Sequence, residues 1–344
     1  MIKKTLAVVA MMAALTLNVG AWDYDGHHAI NELALASLPA DFGGFTLTPA
    51  MKERVAFLGG EADRWRNVGD LPLKHVNGPD HFIDLEDLKW VGLTPETLPL
   101  MRYDFVAAIA RERTAHPEKF PLIDPAKNAD HTRELSGFLP WAITEYYVKL
   151  KSCFSYLKAF QKYGGTPEEI ANAQANIVYV MGVMGHYAGD GAQPLHTTMH
   201  YNGWVGKNPR GYTTNRTFHA WIDFGYFRQT GGIDVKKLAG KIRPAGRIKN
   251  AGEPDGIFRD AVSYIVAQNK LVEPLYELEK DGKLTGEGDK GLEGRALLDG
   301  QLVRAGQMLG DIWHTAWLEA PDDQFLQKQL QERSAAPAAA AKKP

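Results

Sequence analysis

The chain has 344 residues, of which 44% are hydrophobic and 23% are charged, and its formal net charge is −2 at pH 7. This composition is typical of a folded globular protein and excludes a collagen-like or disordered chain, and the charge gives no support to a basic nucleic-acid binder. The single cysteine, Cys153, excludes an intramolecular disulfide framework and every metal site built from several thiolates. Histidine and aspartate are therefore the side chains left for metal or acid–base chemistry.

Residues 1–21 have the pattern of a secretory signal peptide. Two lysines precede an apolar run at residues 6–17, and the small residues Val19 and Ala21 occupy the −3 and −1 positions of a cleavage site. The run is too short for a transmembrane helix, and no later stretch is long and apolar enough to span a membrane. We therefore expect a secreted or periplasmic protein without a transmembrane segment. Its mature chain would begin at Trp22, and the loss of two lysines would lower the formal charge from −2 to −4.

Hydrophobic residues at spacings of three and four predict helices along most of the mature chain. The clearest start is the segment Thr166-Pro167-Glu168-Glu169, which puts proline in the first helical turn and acids at the positive end of the helix dipole. Patterns that alternate between apolar and polar residues, as strands do, are scarce. The predicted helices cover residues 27–38, 95–113, 134–163, 166–193, 258–278 and 291–317.

The remaining segments have too few periodic apolar residues for long helices. Long loops are predicted at residues 40–50, 68–94 and 200–216. Residues 333–344 have nothing to bury and are expected to form a disordered tail. We therefore predict an all-α fold with a single helical domain at residues 22–332.

The segment HYAGDGAQPLH, residues 186–196, is the first candidate metal site. His186 and Asp190 are four residues apart, so both side chains leave the same face of a helix, as two ligands of one metal ion require. Pro194 then ends the helix and directs His196 toward a second centre. A solvated helix face with unrelated histidines is the alternative for this segment taken alone.

Three glycines lie in the same predicted helix, at Gly182, Gly185 and Gly189. Each costs about 1 kcal/mol relative to alanine in the interior of a helix. A close approach of another part of the backbone would compensate for this cost, so the glycines predict tight packing around the candidate metal site.

Two further parts of the chain combine histidine and aspartate. In FHAWID, His219 and Asp223 are four residues apart, although a lone pair of this kind is more often a surface ion pair than a metal site. In the upstream segments GGEADRWR and GPDHFIDLE, Asp63 and His81 are the candidates. Neutral imidazole and carboxylate groups are the ligands that zinc accepts when no thiolate is present.

The mature N-terminus adds another candidate ligand. Cleavage before Trp22 would release an α-amine, a nitrogen ligand once deprotonated, beside the carbonyl oxygen of the same residue. His27 follows five residues later, near the start of the first predicted helix. By position, His28 and His75 remain alternatives to His27 and His81.

Taken together, these residues resemble the zinc-dependent phospholipase C and single-strand nuclease superfamily, in particular its nuclease branch of the S-one/P-one type. The resemblance runs from Trp22 to about Trp317, nearly the whole mature chain. It implies a mostly helical, single-domain fold with three zinc ions at the bottom of a cleft. By this resemblance one zinc ion binds the amine and carbonyl of Trp22 together with His27. A second zinc ion binds Asp63, His81 and His186, and Asp190 bridges the first ion and the second. The third zinc ion binds His196, His219 and Asp223.

The resemblance also implies a reaction. Three Zn²⁺ ions and three ligating aspartates would give the cleft a charge of about +3, which suits an anionic phosphodiester. A water between the two close zinc ions, which Asp63 and Asp190 would ligate, would be acidified to hydroxide and attack phosphorus in line, and Arg66 matches an arginine that stabilises the transition state. Phe82 and Asp84 match residues that stack on and hydrogen-bond a base. The implied substrate is single-stranded DNA or RNA, cleaved to 5′-phosphorylated products.

Some residues separate the branches of this superfamily. The short step from Trp22 to His27 and the aspartate at position 223 favour the nuclease branch, but Phe224 stands where several fungal nucleases have a substrate-contacting Asn, and their disulfides are absent. A phospholipase C acting on phosphatidylcholine is therefore kept as the alternative. A non-catalytic extracytoplasmic zinc-binding protein is the alternative of a different class. No stable protein partner is inferred.

Overall fold

The computed structural model describes residues 22–340 of the chain, and side chains are described as far as residue 335. The predicted signal peptide, residues 1–21, lies outside the described residues. Among those described, no helix combines the length and the apolar character that crossing a membrane requires.

The described residues fold into α-helices joined by loops and short 3₁₀ turns, with no β-strand among them, which confirms the predicted all-α class. The α-helices of this part of the chain are α1 (Tyr24–Ser37), α2 (Pro49–Leu58), α3 (Glu61–Asn67), α4 (Leu71–Asn77), α5 (Arg102–Ala115), α6 (Leu139–Tyr163), α7 (Pro167–Asp190), α8 (Phe218–Ala220), α9 (Tyr226–Gln229), α10 (Val235–Ala239), α11 (Gly256–Asn269), α12 (Val272–Lys280), α13 (Gly288–Gly291), α14 (Arg295–Leu318) and α15 (Gln324–Ala340). Short 3₁₀ helices lie at Phe42–Gly44, Gly78–His81, Leu85–Val91, Pro95–Thr97, Pro117–Lys119, Pro125–Lys127 and Pro194–Thr197, and a π-helical turn lies at Trp221–Gly225.

Helix α7 occupies the middle of the main core. It contacts α1, α2, α6 and α14, and its C-terminal half is buried on every side, from Met181 to Asp190. A helix that is buried all round belongs to the interior of a protein. His186 and Asp190 are therefore carried into the centre of the molecule, which excludes the alternative of a solvated helix face.

The three glycines of α7 allow this close packing. A Cβ atom at Gly185 would overlap Oδ1 of Asn31, and one at Gly189 would lie 3.0 Å from Nδ1 of His27. At Gly182 it would meet side-chain and backbone atoms of α2. The predicted approach of another backbone is confirmed at Gly182, where the carbonyl oxygen of Val55 lies close by, whereas at Gly185 and Gly189 the approaching groups are side chains of α1.

The helix boundaries differ from the prediction at several places. The helix predicted at residues 95–113 is a 3₁₀ turn at Pro95–Thr97 followed by α5, which begins at Arg102. The loop predicted at residues 40–50 contains the 3₁₀ turn at Phe42–Gly44 and the start of α2 at Pro49.

Residues 258–278, predicted as one helix, form α11 and α12, because Pro274 in the first turn of α12 has no N–H to continue the hydrogen bonds of α11. Residues 68–94, predicted as a loop, contain α4 and two 3₁₀ helices, and Pro72 and Pro79 lie in the first turns of α4 and of the first 3₁₀ helix. Such short turns have too few apolar positions to give a periodic signal.

The end of the chain differs as well. Residues 333–340 continue α15, where a disordered tail was predicted. Arg333 donates hydrogen bonds to the Glu169 carboxylate and to the carbonyl of Gly164, and alanine, which dominates this segment, has the highest helix propensity. The loop predicted at residues 200–216 contains no helix, as expected.

Candidate metal centre

The structure brings the predicted histidines and aspartates together at three points. At each point, three imidazole or carboxylate atoms lie within 4.8 Å of one another. Among the described residues, these groups could hold metal ions, and they bring together eight of the nine predicted ligands. The groups are His27, His186 and Asp190; Asp63, His81 and His186; and His196, His219 and Asp223.

These side chains converge on the C-terminal end of α7 from several short elements. His27 lies in the first turn of α1, Asp63 on α3, and His81 at the end of the 3₁₀ helix that starts at Gly78. Pro194 begins another 3₁₀ helix and turns the chain so that His196 comes back toward the same region. The separate direction predicted for His196 follows from this turn.

The four side chains around His81 have the spacing of a tetrahedral metal site. Ligands in a tetrahedron about 2.1 Å from zinc lie about 3.4 Å from one another. Nδ1 of His81 lies 2.9 Å from Nε2 of His186, 3.0 Å from Oδ2 of Asp190 and 3.9 Å from Oδ1 of Asp63. Nε2 of His186 lies 3.3 Å from Oδ2 of Asp190 and 3.7 Å from Oδ1 of Asp63. These separations fit one cation among four ligand atoms.

Asp190 is the side chain that connects the groups. It is fully buried; its Oδ2 faces His81 and His186, while its Oδ1 lies 3.5 Å from Nε2 of His27 and 3.6 Å from Nδ1 of His196. Because the two oxygens face different histidines, this carboxylate can ligate two metal ions at once. Although burial opposes ionisation, His186 and His196 hold the pKa of Asp190 well below its usual range.

His27 has two ring nitrogens with no protein partner. Its side chain is fully buried, and neither Nδ1 nor Nε2 has a hydrogen-bond partner among the described residues. The ring stacks on that of His186 with 3.7 Å between the centroids. Burial lowers the pKa of His27 to about 3, so the imidazole is neutral and can offer a lone pair to a cation. An unpaired buried imidazole costs free energy, and a bound metal ion would remove that cost.

The neighbouring side chains have the protonation states that metal ligands need. Burial lowers the pKa of His81 to about 3. Burial opposes ionisation of Asp63, but Arg66, whose Nε lies 2.8 Å from Oδ1, and the nearby histidines together outweigh it, and the pKa is lowered to about 2. Metal binding requires neutral imidazoles and ionised carboxylates, and His81 and Asp63 have these states near neutral pH. His186 differs, because Asp190 and Asp63 outweigh the effect of burial and raise its pKa, so metal binding there would release a proton.

Hydrogen bonds behind two histidines determine which ring nitrogen faces the centre. Nδ1 of His186 donates to the carbonyl of Gly59 at 2.7 Å, and Nδ1 of His196 donates to the carbonyl of His81 at 2.5 Å. Both bonds fix the tautomer that leaves Nε2 as an acceptor. The two rings are thus oriented for ligation by the fold itself.

Two members of the third group, His219 and Asp223, lie on a helical stretch that contains a π turn. The turn at Trp221–Gly225 connects α8 to α9, and π turns often occur at functional sites. Nε2 of His219 lies 3.0 Å from Nε2 of His196 and 2.8 Å from Oδ2 of Asp223. The amide of Gln193 donates to the other oxygen of Asp223 at 2.7 Å and orients it. Sequence reasoning missed Gln193, although its position between two ligands of one segment was an available signal.

Trp22, the ninth predicted ligand, lies beside the first group. Its indole N–H donates to the carbonyl of Gly189 at 3.0 Å, and its side chain is fully buried. Gly189 directly precedes Asp190, so the indole holds the start of α1 against the end of α7. The carbonyl of Trp22 also accepts a hydrogen bond from the N–H of His27 at 3.3 Å, which places its main chain next to that residue.

A cavity of about 590 Å³ opens beside the third group. Arg66, His196 and His219 lie in its wall. Phe82 and Asp84, the two residues predicted to contact a substrate, lie in the same wall. The fold therefore brings the predicted substrate residues and Arg66 to one space next to the third group.

Backbone contacts hold the wall segment around Phe82. The N–H of Ile83 donates to the carbonyl of His196 at 3.0 Å, and the N–H of Leu139 donates to the carbonyl of Phe82 at 3.1 Å. Gly137, with φ of 93°, approaches so closely that any side chain there would overlap the carbonyl of Phe82. Sequence reasoning missed this glycine, because its partner lies far away in the chain.

The alternative histidines and the cysteine lie elsewhere. His28 pairs with Glu32, and His75 contacts the carbonyl of Asp130, so neither belongs to a metal group. Cys153 packs partly buried against the core, where burial raises the pKa of its thiol.

Comparison with known proteins gives no relative. No protein-family model, no curated protein and no solved structure matches the chain. The buried histidines and aspartates around the end of α7, with their ligand atoms at metal-site spacing, are therefore the features from which a function is inferred.

Proposed function

We propose that the protein is a secreted or periplasmic zinc-dependent phosphodiesterase that cleaves single-stranded DNA or RNA to 5′-phosphorylated products. The observation that carries this proposal is the set of three His and Asp groups beside an open cavity, with His186 and Asp190 facing more than one group. Adjacent metal sites are typical of phosphatases and nucleases. Structural zinc sites are closed and four-coordinate, so a cavity at the ligands favours catalysis.

The donor set favours zinc as the metal. It consists of imidazole nitrogens and carboxylate oxygens without thiolates, and three ions can be accommodated. When bound, zinc would acidify a water molecule and neutralise charge that develops on a phosphate. We assign one ion to His27 and the main chain of Trp22, a second to Asp63, His81 and His186, with Asp190 shared between these two, and a third to His196, His219 and Asp223.

Arg66 is the cationic side chain between the ligands and the cavity. It pairs with Oδ1 of Asp63, is only 16% exposed and lines the cavity. A fixed guanidinium in a partly buried site stabilises charge on a phosphate more strongly than a solvated one does. In this proposal Arg66 donates to a non-bridging phosphate oxygen as negative charge develops there, and Asp63 orients the guanidinium.

The charges of the cavity wall also favour an anionic substrate. Five Lys and Arg side chains line it, against four Asp and Glu side chains. Burial raises the pKa of Asp84 well above its usual range and that of Asp87 to about 7. These two carboxyl groups carry less than their full negative charge near neutral pH, so the cavity is net cationic.

Phe82 and Asp84 are suited to hold a base beside the phosphate. Stacking of a base on an aromatic ring contributes about 1–3 kcal/mol. A protonated carboxyl group, as burial favours for Asp84, can both donate and accept a hydrogen bond. The two side chains would orient one nucleotide with its phosphate toward Arg66.

One observation favours the phospholipase C alternative. Leu73 and Val76 on α4, and Leu122, are exposed aliphatic side chains. Their near neighbours in the chain, Lys74 and Ile123, line the cavity, so an apolar rim lies close to its opening. Such a rim suits a lipid surface, which makes phosphatidylcholine the second substrate to test.

The test uses the mature protein, cleaved before Trp22, with its metal content measured by mass spectrometry. We expect three zinc ions per chain, one for each group, and hydrolysis of single-stranded DNA or RNA. Turnover of phosphatidylcholine without turnover of nucleic acid would replace the nuclease with the phospholipase. A protein that binds zinc but hydrolyses neither these substrates nor a simple aryl phosphodiester would be the non-catalytic alternative.

Two histidine variants provide a matched comparison. His219 belongs to the third group, 2.8 Å from Asp223, whereas His116 is exposed and lies beside Glu118. His219→Ala should lose one zinc ion and most activity, and His116→Ala should keep both. Equal zinc content and equal activity in the two variants would contradict the assignment of the third site.

A further inference from the structure

Residues 235–250, VKKLAGKIRPAGRIKN, carry an unusual concentration of positive charge. They contain six of the 39 Lys and Arg residues of the chain and no Asp or Glu. The rest of the chain is acidic, because it has 33 Lys and Arg residues and all 41 Asp and Glu residues. None of these residues lines the cavity beside the metal groups. The substrate site described above therefore does not account for this segment, which we call the basic ridge.

The basic ridge is fixed along one face of α14. Three of its backbone N–H groups donate to side chains of α14 that are spaced four residues apart, and such a spacing follows one face of a helix. The bonds run from Arg243 to Gln307, from Gly246 to Asp311 and from Ile248 to Thr315, at 2.9, 2.8 and 2.9 Å.

Further contacts hold the part of the ridge that lies against α14. Arg247 pairs with Glu319, which is four residues beyond the last of these acceptors. From Gln307 to Glu319 the helix rises about 18 Å at about 1.5 Å per residue. The N–H of Ala245 also donates to the carbonyl of Ser37 at 2.8 Å, which ties the ridge to the end of α1.

Four lysines of the ridge remain available to a partner. Lys236, Lys237, Lys241 and Lys249 are all exposed. Within the part of the chain that the structure describes, none of the four forms an ion pair, whereas Arg243 and Arg247 pair with Asp311 and Glu319. When lysines of this kind contact a polyanion, they displace the cations that surround its phosphates, and this release favours binding.

The shape and composition of the ridge favour a nucleic-acid strand over a lipid surface. The large hydrophobic side chains that are exposed in the described structure all lie outside residues 235–250. Membrane-binding surfaces usually combine basic side chains with apolar ones that enter the bilayer. A helical strand carries a phosphate about every 3.4 Å, so the part of the ridge that follows α14 over about 18 Å matches about five phosphates.

We propose that the basic ridge is a second binding site for single-stranded nucleic acid, which holds a part of the strand remote from the bond that is cleaved; this rests on the proposed nuclease function. Helix α1 runs from the first metal group to the ridge, because His27 lies in its first turn and Ser37, about 15 Å away at its end, accepts a hydrogen bond from the N–H of Ala245. A strand that reaches both sites binds more tightly than a short one, since its second contact is intramolecular.

Two variants with the same loss of charge separate the ridge from general electrostatic attraction. The ridge variant replaces its four exposed lysines, Lys236, Lys237, Lys241 and Lys249, with Gln. The control variant replaces four exposed lysines from other regions, Lys52, Lys270, Lys290 and Lys328, with Gln. Circular dichroism checks that both variants fold.

Binding is measured for the mature, metal-loaded protein and a phosphorothioate oligothymidylate of about 40 nucleotides, between about 50 and 200 mM salt. Each lysine contact to a single strand contributes about 0.7 to the slope of log K against log salt concentration, so the slope of the ridge variant should fall by about 3. At the lowest salt its affinity should fall at least about tenfold. The control variant should bind like the wild type, and cleavage of a trinucleotide should be unchanged in both.

Equal affinities and equal salt slopes for the ridge and control variants would overturn the proposal. So would a ridge variant that loses binding to phosphatidylserine vesicles but keeps its affinity for the oligothymidylate, since the ridge would then be a lipid-binding surface. Trinucleotide cleavage reports on the proposed function alone. A protein that binds the long strand through the ridge but cleaves no trinucleotide would keep the second site and refute the nuclease.

Discussion

Gly185→Ala tests the packing that brings His186 to the metal centre. A Cβ atom at this position would overlap Oδ1 of Asn31, so the Asn31 side chain would have to move. That side chain is fully buried, and its amide donates to the carbonyls of Val55 at 2.7 Å and of Gly182 at 3.0 Å. The substitution would therefore break the hydrogen bonds by which α1 joins α2 to α7.

The expected loss of stability follows from these two hydrogen bonds. Each contributes about 0.5–1.5 kcal/mol net, and a buried polar group left unpaired costs about 1–3 kcal/mol more. The higher helix propensity of alanine returns about 1 kcal/mol. We expect a net loss of about 2–4 kcal/mol in the free energy of unfolding, which corresponds to a fall of about 3–6 °C in Tm because the entropy of unfolding is about 2.1 cal/mol/K per residue.

Gly300→Ala is the control for this measurement. Gly300 lies inside α14, and a Cβ atom there would meet no atom within 4 Å. Alanine at this position should therefore raise the free energy of unfolding by up to about 1 kcal/mol. Thermal unfolding followed by circular dichroism compares the two variants, and zinc content should fall only in Gly185→Ala.

The Asn31→Ala variant tests whether the overlap with Asn31 causes the loss of stability. Asn31→Ala removes the atom that the new methyl group would meet. Gly185→Ala should then cost much less stability in the Asn31→Ala background than in the wild type, as for any two residues in contact. An equal cost in both backgrounds would show that the overlap with Asn31 is not the cause.

Three further predictions concern the site. Arg66→Lys should lower kcat by about 10²–10³ because lysine cannot present a fixed guanidinium, while Arg64→Lys, at an exposed pair with Glu61, should not; a change in KM alone would contradict this role. Burial raises the pKa of Asp87 to about 7, so the folded state binds this proton more tightly than the unfolded chain, and its ionisation costs stability as pH rises from about 4 to about 7. Denaturant unfolding of Asp87→Asn should show a stability gain over the wild type that grows across this range, and a difference that is constant with pH would refute the assignment. A protein that retains one residue before Trp22 should bind one zinc ion fewer and lose most activity; unchanged zinc content and activity would exclude the α-amine as a ligand.

Features that depend on neighbouring residues were predictable from the sequence. The start of α7 is an example, since the Thr166 side chain accepts from the N–H of Glu169, and the Glu169 carboxylate accepts from the N–H of Thr166. The common face of His186 and Asp190 is another, because it requires only helical geometry. The break between α11 and α12 could have been inferred from Pro274, whose missing N–H acts within one turn.

Contacts between residues that are far apart in the chain could not be predicted from the sequence. The stacking of His27 on His186 joins residues of α1 and α7, and the contact between Gly137 and Phe82 joins two loops. Spacing along the chain can suggest that residues share a face, but it cannot say which face of another element they meet. The resemblance to a known superfamily predicted which side chains act as ligands. The packing of other elements around α7 explains why these side chains lie close together.

The hydrogen bonds behind the ligands connect metal binding to the stability of the core. His186 and His196 donate to the backbone carbonyls of Gly59 and His81. Every residue has a backbone carbonyl, so the sequence does not indicate which carbonyls accept these two hydrogen bonds. A Cβ atom at Gly59 would lie 2.9 Å from the carbonyl oxygen of His27, so this glycine also sets the contact between α1 and α2. The same backbone approach therefore orients a ligand and packs the core. Since a metal ion that binds only the folded state stabilises it, removing zinc should lower Tm, and loosening the core at Gly185 should in turn weaken zinc binding.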